Sequence, residues 1–242
     1  MNKQPGGFLV CVLVVTMLAQ AQVSIAKDAS RILKQHERSS ISLELEFSKK
    51  DPNPLQRVIN FLGSEPNGYA TGFSVGGRLI FTAYHVVSGE LDRSKRLALG
   101  FGRDDQLQVR VYTNGCEAKV LKVDKEADLA LLETCGSSRP GGVPTFQSNL
   151  TKDEKLVLIA RPRGDRIVQR GTFMGAYVFN GIDYWSVKIS ARDGYSGSPV
   201  YNEQGELVGV FSGYDWTRNV AVISPGTRAQ KLLEEYASEP KP

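Results

Sequence analysis

From Tyr69 onward, short runs in which apolar and polar residues alternate are separated by turns rich in Gly, Asn and Asp. They read "YATGFSV", "RLIFTAYHVV", "RLALGF", "LQVRVYT", "CEAKVLKV", "DLALLETC", "KLVLIARP", "FMGAYVF", "YWSVKI", "ELVGVFS" and "NVAVIS". A period of two places one face of a strand in a core and the other in water, and many short strands with regular turn signals predict an all-β sandwich or barrel. Only the last segment, "TRAQKLLEEY" (Thr227–Tyr236), reads as a helix, with Thr227 as its N-cap. The Gly/Pro-containing "GGVPTFQSNL" divides the array, so the expected layout is a first unit over 65–140, a linker over 141–150 and a second unit with the helix over 151–242.

The pattern upstream is different. One lysine precedes an apolar run, Phe8–Leu18, which is followed by Ala19-Gln20-Ala21. A small-x-small site after a short apolar run is the pattern of a cleavable secretory leader. The run is well short of the roughly 20 residues of a membrane-spanning helix, and no other stretch could span. The expectation is therefore a signal peptide over 1–21, with a second small-residue site after Ala26, and no stable membrane anchor once it is removed. Cys11 lies inside the apolar run instead of just after it, which disfavours a lipidated cysteine at the cleavage point. Residues 22–64 then form an N-terminal extension. Their charged part, 27–55, holds one short alternating stretch at Ser42–Phe47 and ends in a Pro-rich break; His36, set among charges, is expected to be solvated.

Composition narrows the partners. The chain of 242 residues carries 30 Lys and Arg against 26 Asp and Glu, a net charge of +4. Losing the leader takes away one of those lysines and no acid. So small an excess speaks against nucleic acid or an anionic surface as the partner. Losing the leader also takes away Cys11 and leaves Cys116 and Cys135 on two neighbouring strand segments. A regular hairpin about the loop "DKEA" sets those two positions opposite each other, within reach of a disulfide that an exporting compartment permits. Two free buried thiols are the alternative.

The stretch with most chemistry is "DGYSGSPVYNEQGELVGV", residues 193–210. Glycines let backbone take unusual dihedrals and serine can act as a nucleophile, so the run could present Ser196, although Gly/Ser/Pro clusters also mark ordinary turns. His85 ends an apolar strand segment, and Asp128 immediately precedes a buried one. Each alone reads as structural, yet His85, Asp128 and Ser196 occur in the chain order of the chymotrypsin type of triad, each at a strand edge. The competing "GFSVG" at 72–76 matches a nucleophile elbow but alternates like a strand. It also lacks the acid and later histidine that an elbow needs, so Ser74 is structural.

Three segments, "ATGFSV…LIFTAYHV", "ADLALL" and "DGYSGSPVYNEQGELVGV", resemble the signature regions of trypsin-like (chymotrypsin-fold) serine peptidases, in the bacterial branch of HtrA-like proteases and glutamyl endopeptidases. The resemblance spans about residues 65–235. It implies two six-stranded antiparallel β-barrels with a C-terminal helix and a cleft between the barrels. His85 would be the general base, Asp128 its orienter and Ser196 the nucleophile, with the N–H groups of Gly194 and Ser196 as oxyanion hole. Ser212 would support the acid, and Ser190, Phe211, Ser212, Gly213 and Tyr214 would lie around the substrate pocket. Such chemistry needs no metal and no organic cofactor. The chain departs from the pattern at Tyr195, where trypsin-type zymogens carry an acid that pairs with a new N-terminus. It also ends without the PDZ module common in HtrA-like proteins. The expected function is a secreted or periplasmic endopeptidase acting on peptides or proteins. The alternatives are an idle binding protein on the same scaffold and, more weakly, an esterase.

Overall fold

The computed structural model describes residues 32, 34, 36, 38–52, 66–135 and 142–240. The expected leader and the Pro-rich break beyond Pro52 lie outside these residues. Thirteen strands are present among the described residues, in two sheets. The first contains β1 (Ser40–Lys49), β2 (Gly68–Ser74), β3 (Leu79–Ala83), β4 (Leu107–Thr113), β5 (Cys116–Glu117), β6 (Lys119–Asp124) and β7 (Leu129–Glu133). The second contains β8 (Lys155–Ala160), β9 (Ile167–Phe179), β10 (Ile182–Val187), β11 (Pro199–Asn202), β12 (Leu207–Asp215) and β13 (Val220–Pro225). Helical turns α1 (Tyr84–Val87) and α2 (Arg93–Ala98) follow β3, and helix α3 (Gly226–Ser238) ends the chain.

The second sheet closes into a six-stranded barrel in the order β10-β13-β12-β11-β8-β9, while the first is a curled seven-stranded sheet in the order β5-β4-β1-β2-β3-β7-β6. The chymotrypsin-like fold is thus present, with one barrel closed by hydrogen bonds and the other closed by chain. Its two edges, β5 and β6, are neighbours in sequence: β5 pairs with β4, and β6 with β7. One bent segment, 116–124, therefore ties the two ends of the sheet together.

β1 corrects the expected domain boundary. It sits centrally, pairing Ser40 with Phe73 of β2 and Glu44 with Tyr112 of β4, so the first unit begins well before residue 65. The alternation in "ISLELEF" buries Ile41, Leu43, Leu45 and Phe47 in this sheet's own core. Full burial of each such side chain contributes about 1.5–3 kcal/mol.

"RLALGF", expected as a strand, is instead the end of α2 and the turn after it: Asp92 caps the helix by accepting the Lys95 N–H at 2.9 Å. α3 starts one residue ahead of its expected cap, at Gly226, with no side-chain cap. A Cβ on Gly226 would press on the Leu207 carbonyl oxygen, so a larger residue there would push the helix off β12. His36 is half-buried rather than solvated, its ring stacked on Tyr201 at 3.9 Å between centroids.

Three cores result. Each sheet has its own, and a third lies between them, where Phe73, Phe81, Leu129 and Leu131 of the first sheet meet Val157, Ile159 and Tyr201 of the second and Ala229 and Leu232 of α3. β7 has no polar face because Leu129 and Leu131 point into this seam while Ala130 and Leu132 point into the first sheet. A strand buried on both sides reads as a continuous apolar run, which is how "LALL" appears.

Cys116 and Cys135 are disulfide-bonded, with Cα atoms 6.1 Å apart. The register that suggested the bond is not the one observed. The β6–β7 turn occupies Lys125–Asp128, and a bulge between Val120 and Lys122 shifts the pairing, so that Lys119 faces Glu133. The bond forms from β5 at one edge of the sheet to the end of β7 near the other.

Candidate active site

The site forms where both sheets meet at the seam. β3 ends at Ala83 and the chain turns through α1, which carries His85 away from the strand. Two backbone contacts fix this turn to the acid: the Tyr84 N–H donates to the Asp128 carbonyl at 3.0 Å, and the His85 N–H donates to Asp128 Oδ1 at 2.8 Å. Asp128 closes the tight β6–β7 turn with φ +51°, a left-handed conformation that Asp tolerates better than most residues. Its other oxygen, Oδ2, lies 2.8 Å from His85 Nδ1 and accepts the Ser212 hydroxyl. Ser212 occupies a bulge: pairing between β12 and β13 slips between Phe211 and Gly213, leaving one extra residue on β12. Such a bulge re-aims a side chain, here toward the carboxylate of the other sheet.

The second barrel backs the same turn elsewhere. Tyr184 donates its hydroxyl to the Glu126 carbonyl at 2.6 Å, and Ser224 donates to the Ala127 carbonyl. Burial pushes the Tyr184 phenol up, and the nearby carboxylates of Asp128 and Asp124 push it the same way. It therefore stays protonated and able to donate. The Asp128 carboxylate is only 15% exposed, whereas the imidazole of His85 is 40% exposed and faces the cleft.

Ser196 arrives from the second barrel, its Oγ 2.8 Å from His85 Nε2. The loop before it is pinned by the Tyr195 N–H to the Arg192 carbonyl and the Ser198 N–H to the Tyr195 carbonyl. Gly197 donates to the Phe211 carbonyl and leaves no room for a side chain, since a Cβ there would collide with the Thr71 carbonyl oxygen and Thr82 Oγ1. Gly194 has φ +87°. Among the described residues, the N–H groups of Gly194 and Ser196 donate to no protein acceptor. The arrangement is an acceptor, an imidazole and a hydroxyl in a hydrogen-bonded row beside two unengaged backbone donors. That suits proton abstraction from the hydroxyl and stabilisation of a developing oxyanion.

The expected pocket residues have different fates. Ser190 is exposed and donates to Gln169 Oε1 at 3.4 Å. Phe211 is buried, edge-on to Tyr195 at 6.3 Å between centroids, and belongs to the second barrel's core rather than to an open wall. Ser212 is committed to Asp128. Gly213 and Tyr214 follow on the partly exposed strand, where Tyr214 packs against the exposed Trp216.

Thr71 and Thr82, both fully buried, were not singled out from sequence, yet they tie the Ser196 loop to the first sheet. The one signal for them is a hydroxyl at core positions of apolar strands. The Thr71 partners Arg161 and Gly194, 90 and 123 residues away, carry no such signal. No group of three or more His, Cys, Asp or Glu side chains able to hold a metal is found among the described residues.

Residues 70–210 match the family model of the trypsin-like peptidase domain, more than half the chain, and the chain belongs to that family: it is a serine peptidase. Among solved structures, the Rv3671c protease of M. tuberculosis in its active form is similar at 17% identity and a TM-score of 0.60, over 87% of this chain and 86% of that one. The same protease in its inactive form gives 17% identity and a TM-score of 0.57, over 86% and 93%. At these identities the likeness is one of fold. A search of curated proteins finds no match to the sequence.

Proposed function

We propose that this peptidase is an exported serine endopeptidase in which His85, Asp128 and Ser196 are the catalytic triad. The observation that carries the reading is the row Asp128 Oδ2, His85, Ser196 Oγ, with 2.8 Å at each step. Ser196 Oγ attacks the scissile carbonyl carbon while His85 Nε2 takes its proton. The resulting oxyanion is held by the N–H groups of Gly194 and Ser196, each such donor contributing about 3–4 kcal/mol. The C–N bond then breaks, His85 returns the proton to the leaving amine, and an acyl-enzyme remains on Ser196. Water, activated by the same imidazole, hydrolyses it. Asp128 keeps the proton of the neutral ring on Nδ1 and stabilises the imidazolium.

Export is supported by the leader pattern at 1–21 and by the Cys116–Cys135 bond, which persists only outside a reducing compartment. A secreted or periplasmic setting follows. Ser190 and Gln169 offer neutral polar groups and Tyr214 an aromatic wall. The preference before the scissile bond is accordingly for a small or medium apolar residue, to be read from cleavage of a mixed peptide library.

A fluorophosphonate probe tests the central claim. Wild type is expected to label stoichiometrically and Ser196→Ala not at all. An unlabelled wild type, or equal labelling of both, would leave a peptidase scaffold that only binds. Cleavage of simple esters but not peptides would make it an esterase.

A further inference from the structure

The loop that carries Ser196 needs something to hold its oxyanion donors in place, and Tyr195 cannot make the carboxylate-to-amine ion pair of a trypsin-type zymogen. We infer that the Thr71 hydroxyl is the positioning group for the oxyanion loop, a role that rests on the reading of Ser196 as nucleophile. Thr71 lies on β2 of the first sheet, fully buried. Its Oγ1 donates to the Gly194 carbonyl at 2.8 Å and accepts the Arg161 N–H, from the end of β8, at 2.9 Å. Its backbone N–H donates to the Ser196 carbonyl at 2.9 Å, and its own carbonyl accepts Thr82 Oγ1 at 2.9 Å.

One residue thus grips the loop at two carbonyls, on either side of Tyr195. The hydroxyl's single proton goes to Gly194 because that carbonyl can only accept, whereas the Arg161 N–H can only donate. The direction of the bond is therefore determined, and Gly194 is fixed by a donor that cannot turn elsewhere. Pro162 lies close to Gly194 as well: a Cβ there would come within 2.6 Å of the proline ring. With its carbonyl held and its α-carbon braced, Gly194 keeps φ +87°, and its N–H stays aimed into the cleft. Without the hydroxyl, the Gly194–Tyr195 peptide is released, Gly194 loses the anchor on one side of its α-carbon, and its own N–H can then swing away from the cleft. An oxyanion donor acts on the transition state and hardly on bound substrate, so the loss should fall on kcat.

The test compares Thr71→Val, which keeps the shape and removes the hydroxyl, with Thr71→Ser, which keeps the hydroxyl. A library-selected peptide serves as substrate and a peptidyl aldehyde as transition-state analogue. Thr71→Val is expected to lose about ten- to hundredfold in kcat, short of the about 10²–10³ for deleting a donor outright. Its KM should change little, and its aldehyde affinity should fall by the same factor as kcat. Thr71→Ser should restore most of the rate. Val111→Ala on β4, in the first sheet's own core and destabilised to a similar Tm, should keep its kcat and so separates stability from positioning. If Thr71→Val does not fold, Thr71→Cys, with a weaker donor of similar size, should still lower kcat. Wild-type kcat in the folded Val or Cys variant, an unchanged aldehyde affinity, or a Ser variant as slow as Val would overturn the inference. An inactive, unlabelled wild type would instead overturn the reading of the site.

Discussion

Asp128 is engaged at both carboxylate oxygens, by the His85 main chain on one and by the imidazole and Ser212 on the other. Asp128→Asn keeps the shape but can present an amide donor where the ring must donate, so the imidazole would take the wrong tautomer. We expect kcat to fall by about 10⁴ with the fold intact, as judged by circular dichroism and steady-state kinetics. Ser212→Ala removes one hydrogen bond to a charged group, worth about 1.5–3 kcal/mol. Its cost in kcat/KM should be about tenfold to a hundredfold, and a variant at wild-type rate would show that Ser212 only packs. At Gly197, with φ +82° and the Thr71 carbonyl oxygen in the way, even alanine should be costly. Overpacking alone contributes about 1–3 kcal/mol, and the left-handed backbone adds to it, so Gly197→Ala should lower Tm as well as activity.

Two elements of the first sheet make its closure testable. The disulfide seals the ends of the sheet, and with its half-cystines 19 positions apart in sequence it should stabilise by about 3 kcal/mol. Replacing both cysteines by serine is expected to lower the urea midpoint by the corresponding amount while leaving kcat near wild type, since neither cysteine touches the site. β1 is less dispensable. Trimming the chain to Gly68 removes Ile41, Leu43, Leu45 and Phe47 from one core and leaves β2 and β4 each without one of its two neighbouring strands. Such a chain should be insoluble rather than activated. These two elements also mark what was legible in advance. The second barrel's strands, the helix and the order of His85, Asp128 and Ser196 are local patterns and could be read directly. β1 shows the same alternation, but its place between β2 and β4 depends on pairing between segments far apart in sequence. "RLALGF" misleads because Asp92 caps a short helix there: Leu97 is left exposed on it, while Leu99 and Phe101 reach the core from the turn that follows. Thr71 stayed hidden because its role exists only once β2, the end of β8 and the Ser196 loop meet.

At the level of the whole molecule, His36 couples the N-terminal segment to the second barrel. Burial pulls its pKa below the ordinary value near 6.5, and a backbone hydrogen bond with Gly205 opposes this only in part. Its neighbour Tyr201 is buried and has its phenol ionisation pushed up, so it offers no charge to an imidazolium. The stabilising contribution is complete above pH 6.5. As pH falls through the window below, the unfolded chain takes up a proton that the folded one resists, and stability is lost. Thermal melts of wild type and His36→Phe between pH 7.5 and 5 should diverge, with the phenylalanine variant the flatter; parallel curves would refute the coupling. The seam between the sheets carries a further consequence. His85 and Asp128 ride on one sheet, while Ser196, the Gly194 N–H and Ser212 ride on the other, so a slide of about an ångström would misalign them all together. Turnover is thus a more sensitive gauge of that contact than any spectroscopic signal of strand content. In a urea titration the enzyme should fall silent while its sheets still look whole.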